Sequence, residues 1–96
     1  MDMGIAGRKA LVCGASAGLG LACATALAAE GVEVVIAART EAKLQAAATQ
    51  LAGLSLAPVH AVAADVTTAD GRARILAAHP SFDILVTNAG LSLIHI

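Results

Sequence analysis

Tyrosine and tryptophan are missing from the 96 residues, and Phe82 is the single aromatic. Chemistry that needs aromatic side chains is thereby nearly excluded, and any core must close on Ala, Leu, Val and Ile, which make up almost all of the 58% hydrophobic content. Charge is also scarce, at 14% of residues with a net charge of −1. The six basic residues, Arg8, Lys9, Arg39, Lys43, Arg72 and Arg74, are scattered and form no stripe of the kind a phosphate backbone requires, so no nucleic-acid partner is expected. Two cysteines, Cys13 and Cys23, are too few for a disulfide scaffold, and His60, His79 and His95 are too widely spaced for a metal-ligand cluster. The expected compartment is the reducing cytoplasm. At this length one domain is the maximum, and a chain of this size is only marginally able to bury a core of its own.

Ala10 to Ala29 carries no charge and follows Arg8-Lys9, which imitates a signal peptide or a membrane segment. Against that reading, Gly14, Ser16, Gly18 and Gly20 interrupt the apolar run, and alanine contributes little transfer free energy. No membrane association is therefore expected.

Lys9 to Cys13 is a short apolar run ending at a glycine-rich turn, which reads as a buried strand of a parallel sheet. Helix formers follow from Gly18 to Glu30, and Gly31 stands where a helix-terminating glycine belongs. Glu33 to Ala38 is a second strand, rich in β-branched residues, after which the Thr40 hydroxyl can cap a helix carrying Leu44, Ala47, Ala48 and Leu51 on one face. Val59 to Ala64 reads as the third strand. A short third helix starts at Thr68 or Asp70, is weakened by Gly71, and is closed by Pro80. Phe82 to Thr87 is the fourth strand. This βαβαβαβ pattern, with right-handed crossovers, predicts a parallel sheet in an open, doubly wound α/β architecture.

The chemistry sits at the first turn. Cys13-Gly-Ala-Ser-Ala-Gly-Leu-Gly20 places three glycines between a strand and a helix, where backbone amides can approach a pyrophosphate and the helix dipole favours its charge. The second strand ends at Ala38, where the adenosine ribose would lie. An acidic residue there would hydrogen-bond both ribose hydroxyls of NAD and repel a 2′-phosphate; this sequence has Ala38 followed by Arg39. A guanidinium pairs with phosphate through two parallel hydrogen bonds, so NADP is the expected cofactor, with NAD less favoured. An ordinary solvated Arg39 is disfavoured, because a cation at a helix N-terminus opposes the dipole.

The spacing Gly14-x3-Gly18-x-Gly20, with Asp65-Val66 after the third strand and Asn88-Ala89-Gly90 after the fourth, resembles the classical short-chain dehydrogenase/reductases over roughly residues 7 to 90. Cys13 departs from the threonine usual in that family, and Thr87 from its asparagine. The resemblance implies a partial Rossmann-like, doubly wound parallel sheet in the order 3-2-1-4 with its C-terminal half missing, residues 1–90 being the N-terminal part of one dinucleotide-binding domain. The resemblance implies that Gly14, Ser16, Gly18, Leu19 and Gly20 approach the pyrophosphate and Asp65 and Val66 the adenine, while Asn88, Ala89 and Gly90 border the nicotinamide. It implies hydride transfer between nicotinamide and a carbonyl or alcohol carbon of a small molecule, with a 3-oxoacyl thioester as one substrate, in a parent enzyme that is a homo-oligomer. No catalytic residue is present. The family's tyrosine has no counterpart, its serine and helix asparagine would lie beyond Gly90, and neither Lys9 nor Lys43 matches its lysine.

Remaining candidates read as structural. Cys13 packs, with a redox-sensing thiol as the alternative; Cys23 lies in a helix core; His60 is a strand-face residue and His79 a helix-end residue. Asp83 solvates or caps, and no Ser-His-Asp triad assembles. With strand order 3-2-1-4, Ile84 to Val86 would be an unprotected sheet edge. The tail Leu91-Ser-Leu-Ile-His-Ile96 fits no family landmark and resembles the in-frame translation of a transposase adapter end, CTGTCTCTTATACACATC, so it is expected to be non-native. The chain then reads as a fragment of an oxidoreductase, inactive alone. Two alternatives stand beside it: a non-catalytic NADP-binding regulatory module, and a small exported or membrane protein.

Overall fold

The computed structural model describes residues 7–14, 18–55, 57–87 and 90–93, with residues 18, 19, 87 and 90–93 described through their backbone. The elements run β1 Lys9–Cys13, α1 Gly18–Ala29, β2 Glu33–Ala38, α2 Glu41–Ala52, β3 Val59–Ala63, α3 Ala69–Ala78, β4 Ile84–Thr87 and β5 Gly90–Leu93. The strands assemble in the order β3-β2-β1-β4-β5. The first four are mutually parallel, as the alternation of strands and helices predicts.

The two faces of the sheet follow from the alternation of side chains along each strand. Ala10, Val12, Val34, Ile36, Ile84 and Val86 point to one face and pack with Ala24 and Ala28 of α1 and Leu44, Ala47 and Leu51 of α2. Leu11, Cys13, Val35 and Ala37 point to the other, where they meet Ile75 of α3 and Phe82. This partition is what right-handed crossovers demand, since the β1-to-β2 and β2-to-β3 connections wind in one direction along the sheet and the β3-to-β4 connection returns in the other. Each fully buried Leu or Ile contributes roughly 1.5–3 kcal/mol. The small side chains of Ala24 and Ala28 let α1 sit close to the sheet.

Several local expectations are modified. Gly31 does end α1 with a left-handed backbone, at φ +83°. Thr40 precedes α2, but its hydroxyl makes no capping hydrogen bond; its carbonyl accepts from the Leu44 N–H at 3.0 Å, so the expected side-chain cap is corrected to a backbone one. Thr68 does cap α3, accepting from the Gly71 N–H at 2.9 Å. Phe82 lies ahead of β4 rather than within it, and its ring is 2% exposed. The β4 edge is also paired: β5 runs antiparallel to β4, with Thr87 opposite Gly90 and Ile84 opposite Leu93. The expected open edge is therefore corrected: an antiparallel neighbour needs no crossover helix, so the short apolar run after Gly90 can pair with β4 directly.

Candidate functional site

The C-terminal ends of β1, β2 and β3 lie side by side, and of the expected cofactor-binding residues Gly14, Arg39 and Asp65 follow these three ends. Gly14 leaves β1 at φ +70°, a left-handed conformation that favours glycine, and its N–H donates to the Ala37 carbonyl at 2.8 Å. The first turn is thus pinned to the end of β2. Gly18, Leu19 and Gly20 form the first turn of α1. Ala15, Ser16 and Ala17 lie outside the described residues, as do Asn88 and Ala89. Gly90 is the first residue of β5.

Arg39 follows β2 directly and is exposed. The Ala64 N–H donates to the Ala38 carbonyl at 3.1 Å, which holds the segment after β3 against the end of β2 and carries Asp65 toward Arg39. Asp65 is held below the ordinary carboxylate range, first by the Thr67 hydroxyl, then by the Thr67 N–H, with the Arg39 charge adding to both. Both Thr67 donors reach one oxygen, Oδ1, at 2.6 and 2.9 Å. Among the described residues no protein donor binds Oδ2, and Arg39 forms no ion pair. An exposed cation after β2 and a carboxylate oriented by Thr67 after β3 thus lie at the same end of the sheet.

Cys13 ends β1 and is 8% exposed, and burial pushes its thiol above the ordinary cysteine range. A thiol so placed stays protonated at neutral pH and is a poor nucleophile, which matches the packing role. It borders an apolar groove of about 240 Å³ on the α3 face, lined by Leu11, Val66, Ile75, Leu76 and Leu85 among others.

The opposite end of the sheet holds a cluster that spacing alone does not reveal. His60 Nε2–H donates to Glu33 Oε2 at 2.8 Å, and Lys9 Nζ lies 3.8 Å from the same oxygen. The His60 and His79 ring centroids are 4.7 Å apart, and Lys9 Nζ sits over the Phe82 ring at 5.8 Å. Asp83 accepts from the Lys9 N–H at 3.0 Å, returns its own N–H to the Lys9 carbonyl at 2.8 Å and pairs with Arg8 at 3.7 Å. Asp83 is thus neither a solvated residue nor a helix cap, but a clamp between β1 and β4. His60 and His79 do have partners, supplied by the parallel register that aligns the strand starts. Among the described residues no group of three or more His, Cys, Asp or Glu can hold a metal ion, and no helix is long and apolar enough to cross a membrane.

A family model for short chain dehydrogenases matches residues 8–95. An L-xylulose reductase from Mesocricetus auratus is 36% identical over 98% of this chain and 36% of its own length. Among solved structures, L-sorbose reductase from Gluconobacter frateurii, in complex with NADPH and L-sorbose, superposes with a TM-score of 0.84 at 40% identity, over 94% of this chain and 36% of that one. RhlG from Pseudomonas aeruginosa, in a complex with NADP, gives 0.79 at 35% identity, over 88% of this chain and 35% of its own. The chain thus spans little more than a third of the relatives it matches. With a parallel sheet in the order 3-2-1-4, a glycine-rich first turn and a family model running from β1 through β5, the protein belongs to the short-chain dehydrogenase family.

Proposed function

We propose that this chain is the NADP-binding part of a short-chain oxidoreductase whose parent reduces a ketone or oxidises the matching alcohol. The observation that carries the reading is the placement of Gly14, Arg39 and Asp65 just after the ends of β1, β2 and β3, at one end of the parallel sheet, where an open α/β sheet receives a dinucleotide. These residues fit the group. Arg39 would pair with the 2′-phosphate, the Gly14 turn and the start of α1 would receive the pyrophosphate, and Asp65 with Val66 would take the adenine. Asn88, Ala89 and Gly90 would border the nicotinamide. When bound, the nicotinamide supplies or accepts the hydride.

The chain's own residues bind and orient; none is placed to move a proton to the substrate, because no tyrosine is present and Lys9 belongs to the opposite sheet edge. Turnover by the chain alone is therefore not expected. Ketose sugars are the preferred substrate class for the parent, supported by the L-xylulose and L-sorbose reductases, ahead of a 3-oxoacyl thioester. The parent is proposed to be a homo-oligomer, and two unpaired cysteines fit a reducing compartment. The tail from Leu91 is proposed to be adapter-encoded; codons other than those of the adapter for these six residues would overturn that. Titration with NADPH and NADH, followed by nicotinamide fluorescence, tests the cofactor. Tighter NADPH binding is expected, and tighter NADH binding would reject the assignment.

A further inference from the structure

Gly71 stands in the first turn of α3, a position where a glycine costs helix stability relative to alanine. Its neighbour explains its use. A methyl group at residue 71 would overlap the backbone carbonyl of Asp65, both oxygen and carbon, so α3 can lie this close to the Asp65 peptide only with no side chain there. The Thr68 hydroxyl completes the contact from both sides, donating to the Asp65 carbonyl at 2.9 Å and accepting from the Gly71 N–H at 2.9 Å. The Thr68 N–H reaches the same carbonyl at 3.2 Å. Fixing that carbonyl fixes the Asp65–Val66 peptide plane and with it the direction of the Val66 N–H.

The Asp65 carboxylate is oriented independently, through Thr67 on Oδ1. The result is an acceptor, Oδ2, and a backbone donor, the Val66 N–H, presented by adjacent residues. Adenine offers the complementary pair, an N6–H donor beside the N1 acceptor. Hypoxanthine offers the reverse, an O6 acceptor beside an N1–H donor.

We propose that Gly71 is a positioning residue for base selection: by admitting the Asp65 carbonyl beneath α3, it fixes the Val66 N–H beside the carboxylate that Thr67 orients, and the two together accept adenine and reject hypoxanthine. This rests on the dinucleotide reading above. Gly71 itself touches no ligand.

The 96-residue chain is titrated with NADPH and with its hypoxanthine analogue, and thermal unfolding is followed in parallel. The unsubstituted chain is expected to prefer NADPH by about tenfold or more, the scale of one well-made hydrogen bond set against one mismatched pair. In Gly71→Ala the preference should fall below about threefold, with NADPH affinity reduced about tenfold. A purely structural glycine would lower the unfolding temperature and leave the ratio of the two affinities unchanged, which would overturn the proposal. Should Gly71→Ala fail to fold, Thr68→Val decides, because it removes the hydroxyl bridge without adding bulk against Asp65. Loss of preference supports the proposal and retained preference rejects it. If the unsubstituted chain binds both dinucleotides equally, base selection at Asp65-Val66 is rejected while dinucleotide binding stands. Binding of neither rejects both.

Discussion

The two ends of the parallel sheet use charge in opposite ways. At the starts of the strands, Lys9, Glu33, His60 and Asp83 are joined to one another, and Arg8 reaches in to Asp83. At the strand ends, Arg39 and Asp65 feel each other's charge without forming an ion pair, and Asp65 keeps one carboxylate oxygen turned to no protein donor. Partners inside the chain make the first group a structural clamp. At the other end, among the described residues, such partners are missing, as the proposed binding of a dinucleotide there requires. The difference teaches that location in the topology, more than residue type, decides which charges are joined within this small domain and which face solvent.

The sharpest way to break the contrast is Arg39→Asp. Losing a bidentate phosphate partner and placing a like charge beside it should weaken NADPH binding about a hundredfold or more, with stability within roughly 0.5 kcal/mol of the parent sequence. Paired NADPH titration and urea unfolding measure both quantities. At the opposite edge Glu33→Gln should do the reverse, costing about 1 kcal/mol of stability, less at high salt because the pairs are partly exposed, and leaving NADPH affinity unchanged.

A pH series separates the ends without mutation. Burial first, then the positive charges of Lys9 and His60, hold His79 below its ordinary value of 6.5, with Glu33 opposing them. A depressed histidine favours the neutral form in the folded state, so its contribution is present above about 6.5 and is lost as pH falls through the folded value. Asp65 is also depressed, so its contribution persists above the ordinary carboxylate value of 3.8 and disappears only below it. Unfolding free energy should therefore decline as pH falls below about 6.5 in the unsubstituted sequence and decline less in His79→Gln, while the Asp65 contribution to stability stays level until pH nears the ordinary carboxylate value. The smallest effect contrasts two threonines. Thr68→Ala should cost about 1 kcal/mol through its lost cap, and Thr40→Ala less than about 0.5 kcal/mol, because the Thr40 hydroxyl caps nothing. Equal losses in urea unfolding would contradict the described capping.

Strands and helices were legible because each announces itself locally. Leu11 to Cys13 and Val34 to Ala37 are continuous apolar runs, and Leu44, Ala47 and Leu51 repeat at helical spacing. Gly14 and Gly31 could be read for the same reason, since a left-handed backbone is a property of one residue. What escaped depends on register between distant segments. His60 and His79 are ordinary in isolation and meet because β3 and the end of α3 share a sheet edge. Gly71 was read as a weakness because helix propensity records its cost, while its compensation, the Asp65 carbonyl, is tertiary. Asp83 gave no signal until β1 and β4 lay side by side. Arg39 and Asp65 were recognisable through strand ends and family motifs, but their electrostatic contact is set by the β2–β3 register.

Phe82 adds an optical consequence. As the single aromatic ring, buried on the α3 face and distant in the topology from the strand ends, it leaves the chain without emission where tryptophan and tyrosine would normally dominate. Reduced nicotinamide would then be observed against a dark protein, with no energy transfer from intrinsic donors to confuse its signal. A tryptophan placed on the exposed Leu54 would supply a single donor of known position, turning the otherwise silent chain into its own ruler for cofactor distance.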